Sequence, residues 1–118
     1  MSRPVWVVQT AALADADFRA VLRWTEVAWG RRQARRYAER LAATLARLED
    51  GPTTLGTADR ADLGPGIRIL WMIPSGPPAR HILLFRVDEA AAEPTVMVLR
   101  IFHDSMDPAL HPLTENPT

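Results

Sequence analysis

Arg68, Arg86 and Arg100 fall one to each of three apolar, β-branched runs in the C-terminal half of the chain, and His103 closes the last run. These are the side chains with which the chain could act on a phosphodiester. Cleaving RNA through its own 2′-hydroxyl needs a group to take that proton, a group to protonate the leaving oxygen, and cations to hold the charge of the phosphorane-like state. Arginine supplies charge but stays protonated, so proton transfer would rest on His103 alone. A structural histidine bonding the segment after it, for instance Asp107, is the preferred reading of His103. His81 and His111 carry no further signal. Three scattered histidines without cysteine have no metal-ligand spacing, and Gly64-Pro65-Gly66 leads into a strand rather than a helix, so neither a metal nor a nucleotide cofactor is expected.

The second concentration of chemistry is cationic. Arg31, Arg32, Arg35, Arg36 and Arg40 crowd one stretch, and all 14 basic residues of the chain are arginine. Arginine without lysine is what a GC-rich gene would give, so composition alone assigns no role. The placement says more, because these side chains sit at the start of a helix. There the positive end of the macrodipole disfavours each cation in the first turn by about 0.3–1 kcal/mol. An acidic partner surface and a plain solvated face are the two readings. A formal net charge of +0 argues against a general nucleic-acid binder, and no sequence-specific nucleic-acid contact is expected.

A chain of 118 residues with 47% hydrophobic and 24% charged content builds one core. Residues 1–112 are expected to form a single domain and 113–118 a flexible tail, with little apolar content after about Pro108. No run is long enough to span a membrane, and the start of the chain is too short in apolar residues for a secretory signal. The absence of cysteine fits a cytoplasmic protein.

Residues 4–9 read as a strand, with Thr10 as the cap of a following helix. Over 11–29, Ala14, Phe18, Val21, Leu22, Thr25, Ala28 and Trp29 keep helical spacing, with Asp15, Arg19, Arg23 and Glu26 opposite. Asp15 and Arg19 are placed to pair at i,i+4. Gly30 breaks the pattern, and a second helix over 31–49 carries Ala34, Tyr37, Ala38, Leu41, Leu45 and Leu48 before Asp50-Gly51-Pro52 ends it. The two make a helical hairpin that needs a surface to pack on. After a loop over 52–66, three strands are predicted at 67–73, 81–87 and 96–103, joined by short connections that imply antiparallel neighbours. The fold class is therefore α+β: an N-terminal strand, a helical hairpin, then a three-stranded antiparallel meander.

Side chains alternate faces along a strand, which sorts each run into two sets. Ile67, Ile69, Trp71, Ile73, Leu83, Phe85, Val87, Met97, Leu99 and Ile101 form one set, expected under the helices. The other holds Arg68, Leu70, Met72, Ile82, Leu84, Arg86, Val96, Val98, Arg100 and Phe102. A solvated face should alternate apolar with polar, and this one is largely apolar. Another chain, a second copy, or the chain's own tail or long loop could cover it; a covering partner segment is the expectation, with the apolar members exposed in the isolated chain.

The order of elements resembles that of the ParE/RelE toxin superfamily, and four strings carry the likeness. They are Trp29-Gly30-Arg31-Arg32-Gln33-Ala34-Arg35-Arg36-Tyr37 between the helices, Asp62-Leu63-Gly64-Pro65-Gly66-Ile67-Arg68, Arg80-His81-Ile82-Leu83-Leu84-Phe85-Arg86-Val87, and Val98 to Pro108 with His111. The resemblance, closest to ParE-type toxins, implies a bacterial toxin silenced by a ParD-like antitoxin. Its segment would lie on the set Arg68, Leu70, Met72, Ile82, Leu84, Arg86, Val96, Val98, Arg100 and Phe102. ParE-type members inhibit DNA gyrase and RelE-type members cleave mRNA on the ribosome, so the site must decide. The related RNases use several Lys or Arg side chains, or a Glu, Arg and His set with a stacking aromatic. This chain has no lysine, its tyrosine lies on a helix stripe, and the last strand ends Phe102-His103-Asp104-Ser105. The expectation is a gyrase inhibitor without catalytic residues, with Arg31, Arg32, Arg35, Arg36 and Arg40 facing the target or partner. A RelE-like ribonuclease using Arg68, Arg86, Arg100 and His103 is the alternative, and an inactive binding module is a third.

Overall fold

One glycine turns the first helix into the second. Gly30 holds φ 93°, a region that side chains disfavour, while nothing lies within 4 Å of where a Cβ would stand. The requirement is conformational rather than spatial. The Gly30 N–H donates to the Glu26 carbonyl at 2.8 Å and its own carbonyl accepts from Ala34 at 3.1 Å, so both helix ends are closed through one residue.

The computed structural model describes residues 5–72 and 81–103. Strand β1 (Val7–Thr10) leads into helix α1 (Ala12–Trp29) and helix α2 (Arg31–Arg47), which ends in a 3-10 turn, Leu48–Asp50. Strand β2 (Thr57–Asp59), a second 3-10 turn (Ala61–Leu63), and strands β3 (Ile67–Trp71), β4 (His81–Asp88) and β5 (Thr95–His103) follow. The expected tail at 113–118, together with Ile73, Asp107 and His111, lies outside the described residues. No helix among the described residues is long and apolar enough to cross a membrane.

The strands form one sheet in the order β1-β5-β4-β3-β2. The predicted meander is its antiparallel centre, and β1 runs parallel to β5. The sheet has five strands, because the segment expected to be a loop contains β2. Its three residues, Thr57-Ala58-Asp59, lack an apolar run that would announce them. They are ordered by pairing with Leu70, Ile69 and Arg68. Arg68 locks this edge, donating from Nε to the Pro52 carbonyl at 2.8 Å and from Nη2 to Thr57 Oγ1 at 3.2 Å. In the turn beyond, Arg60 grips Asp62 through two bonds of 2.9 Å, and this guanidinium holds the exposed Asp62 carboxyl below its ordinary range.

The helix starts differ from expectation. Thr10 ends β1 instead of capping α1, and its hydroxyl donates to Asp15 Oδ1 at 2.8 Å, so Asp15 pairs back to the strand and not forward to Arg19. Ala11 stands at the N-cap without a side-chain bond. The stripes hold better. Ala14, Thr25, Ala34, Tyr37, Leu41 and Leu48 are buried, with Phe18, Val21 and Leu45 packed beside them, whereas Ala28 and Trp29 at the end of α1 are exposed.

The assignment of strand faces is corrected in two strands of three. Phe85 lies opposite Val98 while Leu84 lies opposite Arg100, so Leu99 is the additional residue of a β-bulge. Before the bulge Val96 and Val98 face the helices, and after it Ile101 does, joining Leu83 and Phe85. In β3 it is Leu70 and Met72 that face the helices. The opposite face gathers Ile67, Ile69, Ile82, Leu84, Leu99 and Phe102, with Ala58, Leu63 and Met97 against them. The residues expected to form one partner groove are thus divided between two cores. Nor are they open to solvent: Leu70, Leu84, Val96 and Val98 are 0% exposed, Phe102 1%, and Met72 and Ile82 under 5%. The apolar character of both sets was legible, but the apolar members of the second were expected to be open until a partner covered them, and they are buried within the chain itself. The phase of each strand was not legible, because two apolar sets carry no alternation to orient them.

Candidate functional site

The residues suited to RNA chemistry do not converge. Arg68 is on the helix side at the β2 edge, engaged as described above. Arg86 is exposed on the opposite face, across from Ile67 and Met97. Arg100, on that same face, is drawn around the sheet edge to α1. Its Nε meets Asp17 Oδ2 at 2.8 Å, its Nη2 meets Asp17 Oδ1 at 3.1 Å, and the Ile101 N–H donates to the same Oδ2 at 2.9 Å. The reason lies in the topology. β1 stops at the Thr10–Val98 pair, so among the described residues β5 continues with β4 on one side and no strand on the other, and the Asp17 carboxylate takes a backbone donor that a strand would have satisfied. The Arg100 guanidinium also lies 4.9 Å from the Phe102 ring centroid. Nothing in the sequence marked Asp17, which reads as one more polar residue early in a helix.

His103 faces the other way. Its ring meets His81, its cross-strand partner, edge on with centroids 5.5 Å apart, and His81 meets Tyr37 edge on at 5.4 Å. The Tyr37 hydroxyl is hydrogen-bonded to His81 Nδ1. The three rings tie α2 to β4 and β5. Sequence reading assigned His81 nothing; the available signal was Tyr37 on a buried stripe, since a buried phenol needs a polar partner. His81 and His103 also line a cleft of about 320 Å³ whose opposite wall is Ala20, Val21 and Trp24 of α1.

The arginine cluster is where the helix periodicity puts it. Arg31, Arg32, Arg35 and Arg36 are exposed around the first turns of α2, and Arg40 is half-buried. Arg31 Nε lies 3.4 Å from Glu26 Oε1 across the hairpin link. The start of α2 has no acidic residue and no side-chain cap, so local helix energetics do not favour these cations. Beside them stand Val27, 90% exposed, and Trp29, 56% exposed. Among the described residues no group of three or more His, Asp or Glu is arranged to hold a metal ion.

The class that the fold defines is a small α+β domain in which a strand-linked helical hairpin packs on a mixed five-stranded sheet, with arginine and tryptophan exposed on the hairpin. Comparison with known proteins narrows it. The family model described as the ParE toxin of the type II toxin-antitoxin system, parDE, matches residues 8–108, and the chain belongs to this family. It is similar to a toxin ParE of Escherichia coli, 33% identical over 96 residues that cover 81% of this chain and 82% of that protein. A solved structure titled as the chromosomal ParDE TA system from P. aeruginosa superposes with a TM-score of 0.64 at 21% identity, covering 86% of this chain and 98% of its own. The chain is a ParE-type toxin of a type II toxin-antitoxin system, with the α+β fold expected of it.

Proposed function

We propose that this toxin arrests growth by binding DNA gyrase as a non-enzymatic inhibitor, and that a cognate ParD-like antitoxin silences it in the cytoplasm. The observation that carries the choice of mechanism is the dispersal of Arg68, Arg86, Arg100 and His103. A transesterification site needs its proton acceptor and its cations within reach of one phosphate. Here Arg68 braces a loop, Arg100 is bound to Asp17, and His103 packs on His81 on the side of the sheet away from Arg86. The purified toxin is expected to block supercoiling by gyrase or to raise cleaved-DNA complexes. Ribosome-dependent mRNA cleavage that disappears in His103→Ala would replace this reading with the ribonuclease one, and absence of growth inhibition on expression would favour an inactive binding module.

Arg31, Arg32, Arg35 and Arg36 supply the cationic part of the contact with target or partner in this reading. Their joint replacement by glutamine should leave the urea midpoint unchanged or slightly raised, because a dipole penalty of about 0.3–1 kcal/mol per first-turn cation is removed. Gyrase inhibition or antitoxin affinity should fall at the same time, with a weaker salt dependence. A drop in the midpoint would show that these side chains hold the fold, and intact binding to both proteins would remove them from the interface.

A further inference from the structure

Helix α2 concentrates its charge at one end. Arg31, Arg32, Arg35 and Arg36 are exposed over its first turns, and Glu39 is the single acidic residue of the helix. Among the described residues Arg32, Arg35 and Arg36 have no hydrogen-bond or ion-pair partner, and Arg31 reaches only Glu26, at 3.4 Å with both side chains exposed. Packing does not account for them. No side chain caps the first turn, so the partial positive charge of the helix end adds to the same field. The result is a compact cationic patch on a chain whose formal net charge is +0.

Charge density selects the occupant. At about 1.5 Å of rise per residue, Arg31 to Arg36 span roughly 7.5 Å of helix, on the order of one positive charge per 2 Å. Duplex DNA carries one negative charge per about 1.7 Å of its axis. A protein surface of that density would need several carboxylates side by side, whose mutual repulsion draws protons onto them and destabilises the fold presenting them. The arginine fork also matches two oxygens of one phosphate. So small a patch on a neutral chain is too little to hold free DNA at physiological salt, where purely electrostatic binding is weak. An enzyme that already holds a duplex removes that difficulty, because the phosphate contacts then form at high effective concentration.

We infer that Arg31, Arg32, Arg35 and Arg36 grip the phosphate backbone of the DNA segment held by gyrase, so that the toxin engages the enzyme and its DNA together. This rests on the gyrase reading above. The dissociation constant of the toxin is measured for gyrase holoenzyme with and without a bound duplex, across a salt series. Wild-type toxin should bind the DNA-loaded enzyme at least about tenfold more tightly at low salt. The slope of log affinity against log salt should be steeper there by about 3–4, at about 0.9 for each phosphate neutralised. This comparison needs no variant. Replacing the four arginines by glutamine should abolish both differences, whereas replacing them by lysine should keep the slope and lose part of the affinity. Wild-type affinity and slope that do not change when DNA is added overturn the inference, as does a glutamine variant that keeps the DNA-dependent gain. A glutamine variant that loses the same factor of affinity for both forms of the enzyme overturns it too, and assigns the patch to an acidic protein surface. A wild-type toxin that binds gyrase in neither form defeats the gyrase reading itself.

Discussion

Asp17→Ala is expected to cost about 3–5 kcal/mol of stability, the range for removing one partner of a buried ion pair. The Arg100 and Asp17 side chains are 13% and 18% exposed, so solvent screens them little, and the bond is a two-point fork. The substitution also orphans the Ile101 N–H, a backbone donor with no strand beyond it. Asp17→Asn keeps an acceptor for that N–H but removes the carboxylate charge from the fork with Arg100, and should fall between wild type and Asp17→Ala. Urea unfolding measures all three. A loss below about 1 kcal/mol for Asp17→Ala, the level of a surface pair, would show that water replaces the carboxylate at little cost.

The second large effect concerns the face of the sheet away from the helices. Leu84→Asp should destabilise by more than about 4 kcal/mol, because it places a carboxylate where no solvent reaches and removes apolar area as well. Phe85→Asp on the helix face should do at least as much harm. For a domain whose total stability is of order 5–15 kcal/mol, either change can leave the chain unfolded. Arg86→Ala, an exposed neighbour on the same strand, supplies the control and should be close to neutral. A Leu84→Asp protein with native circular dichroism and an unshifted midpoint would mean that this face is open after all.

These two experiments mark where the sequence was and was not legible. The helical hairpin, its glycine link and the three central strands could be read from periodicity and punctuation, since Gly30, Gly51 and the proline-rich connections end patterns sharply. Apolar content in both strand sets was readable too, but the apolar members of the second set were expected to stay open in the isolated chain, and they are buried there. Register was hidden. The bulge at Leu99 inverts the phase of β5 midway, and no residue there signals it. β2 is defined by its partner and not by its own composition. Asp17 and Arg100 are 83 positions apart, so their pairing is a property of the fold and not of any local pattern. The candidate site suffered accordingly. The exposed arginines of α2 stand where periodicity placed them, but the groove expected on the sheet is interior, and the exposed Trp24 and Val27 of α1 had been given no place on either face.

The parallel pairing of β1 with β5 has a consequence in time. Val7 takes its hydrogen-bonding neighbour around Thr95, 88 positions later in the chain. At a synthesis rate of about 5–20 residues per second, the first strand waits on the order of 4–18 s for the last one to be made. Until then β1 has no strand to pair with, and Asp17 has neither Arg100 nor the Ile101 N–H to hold. A nascent toxin is thus an incomplete one, and assembly of its fold is deferred until most of the chain has been made.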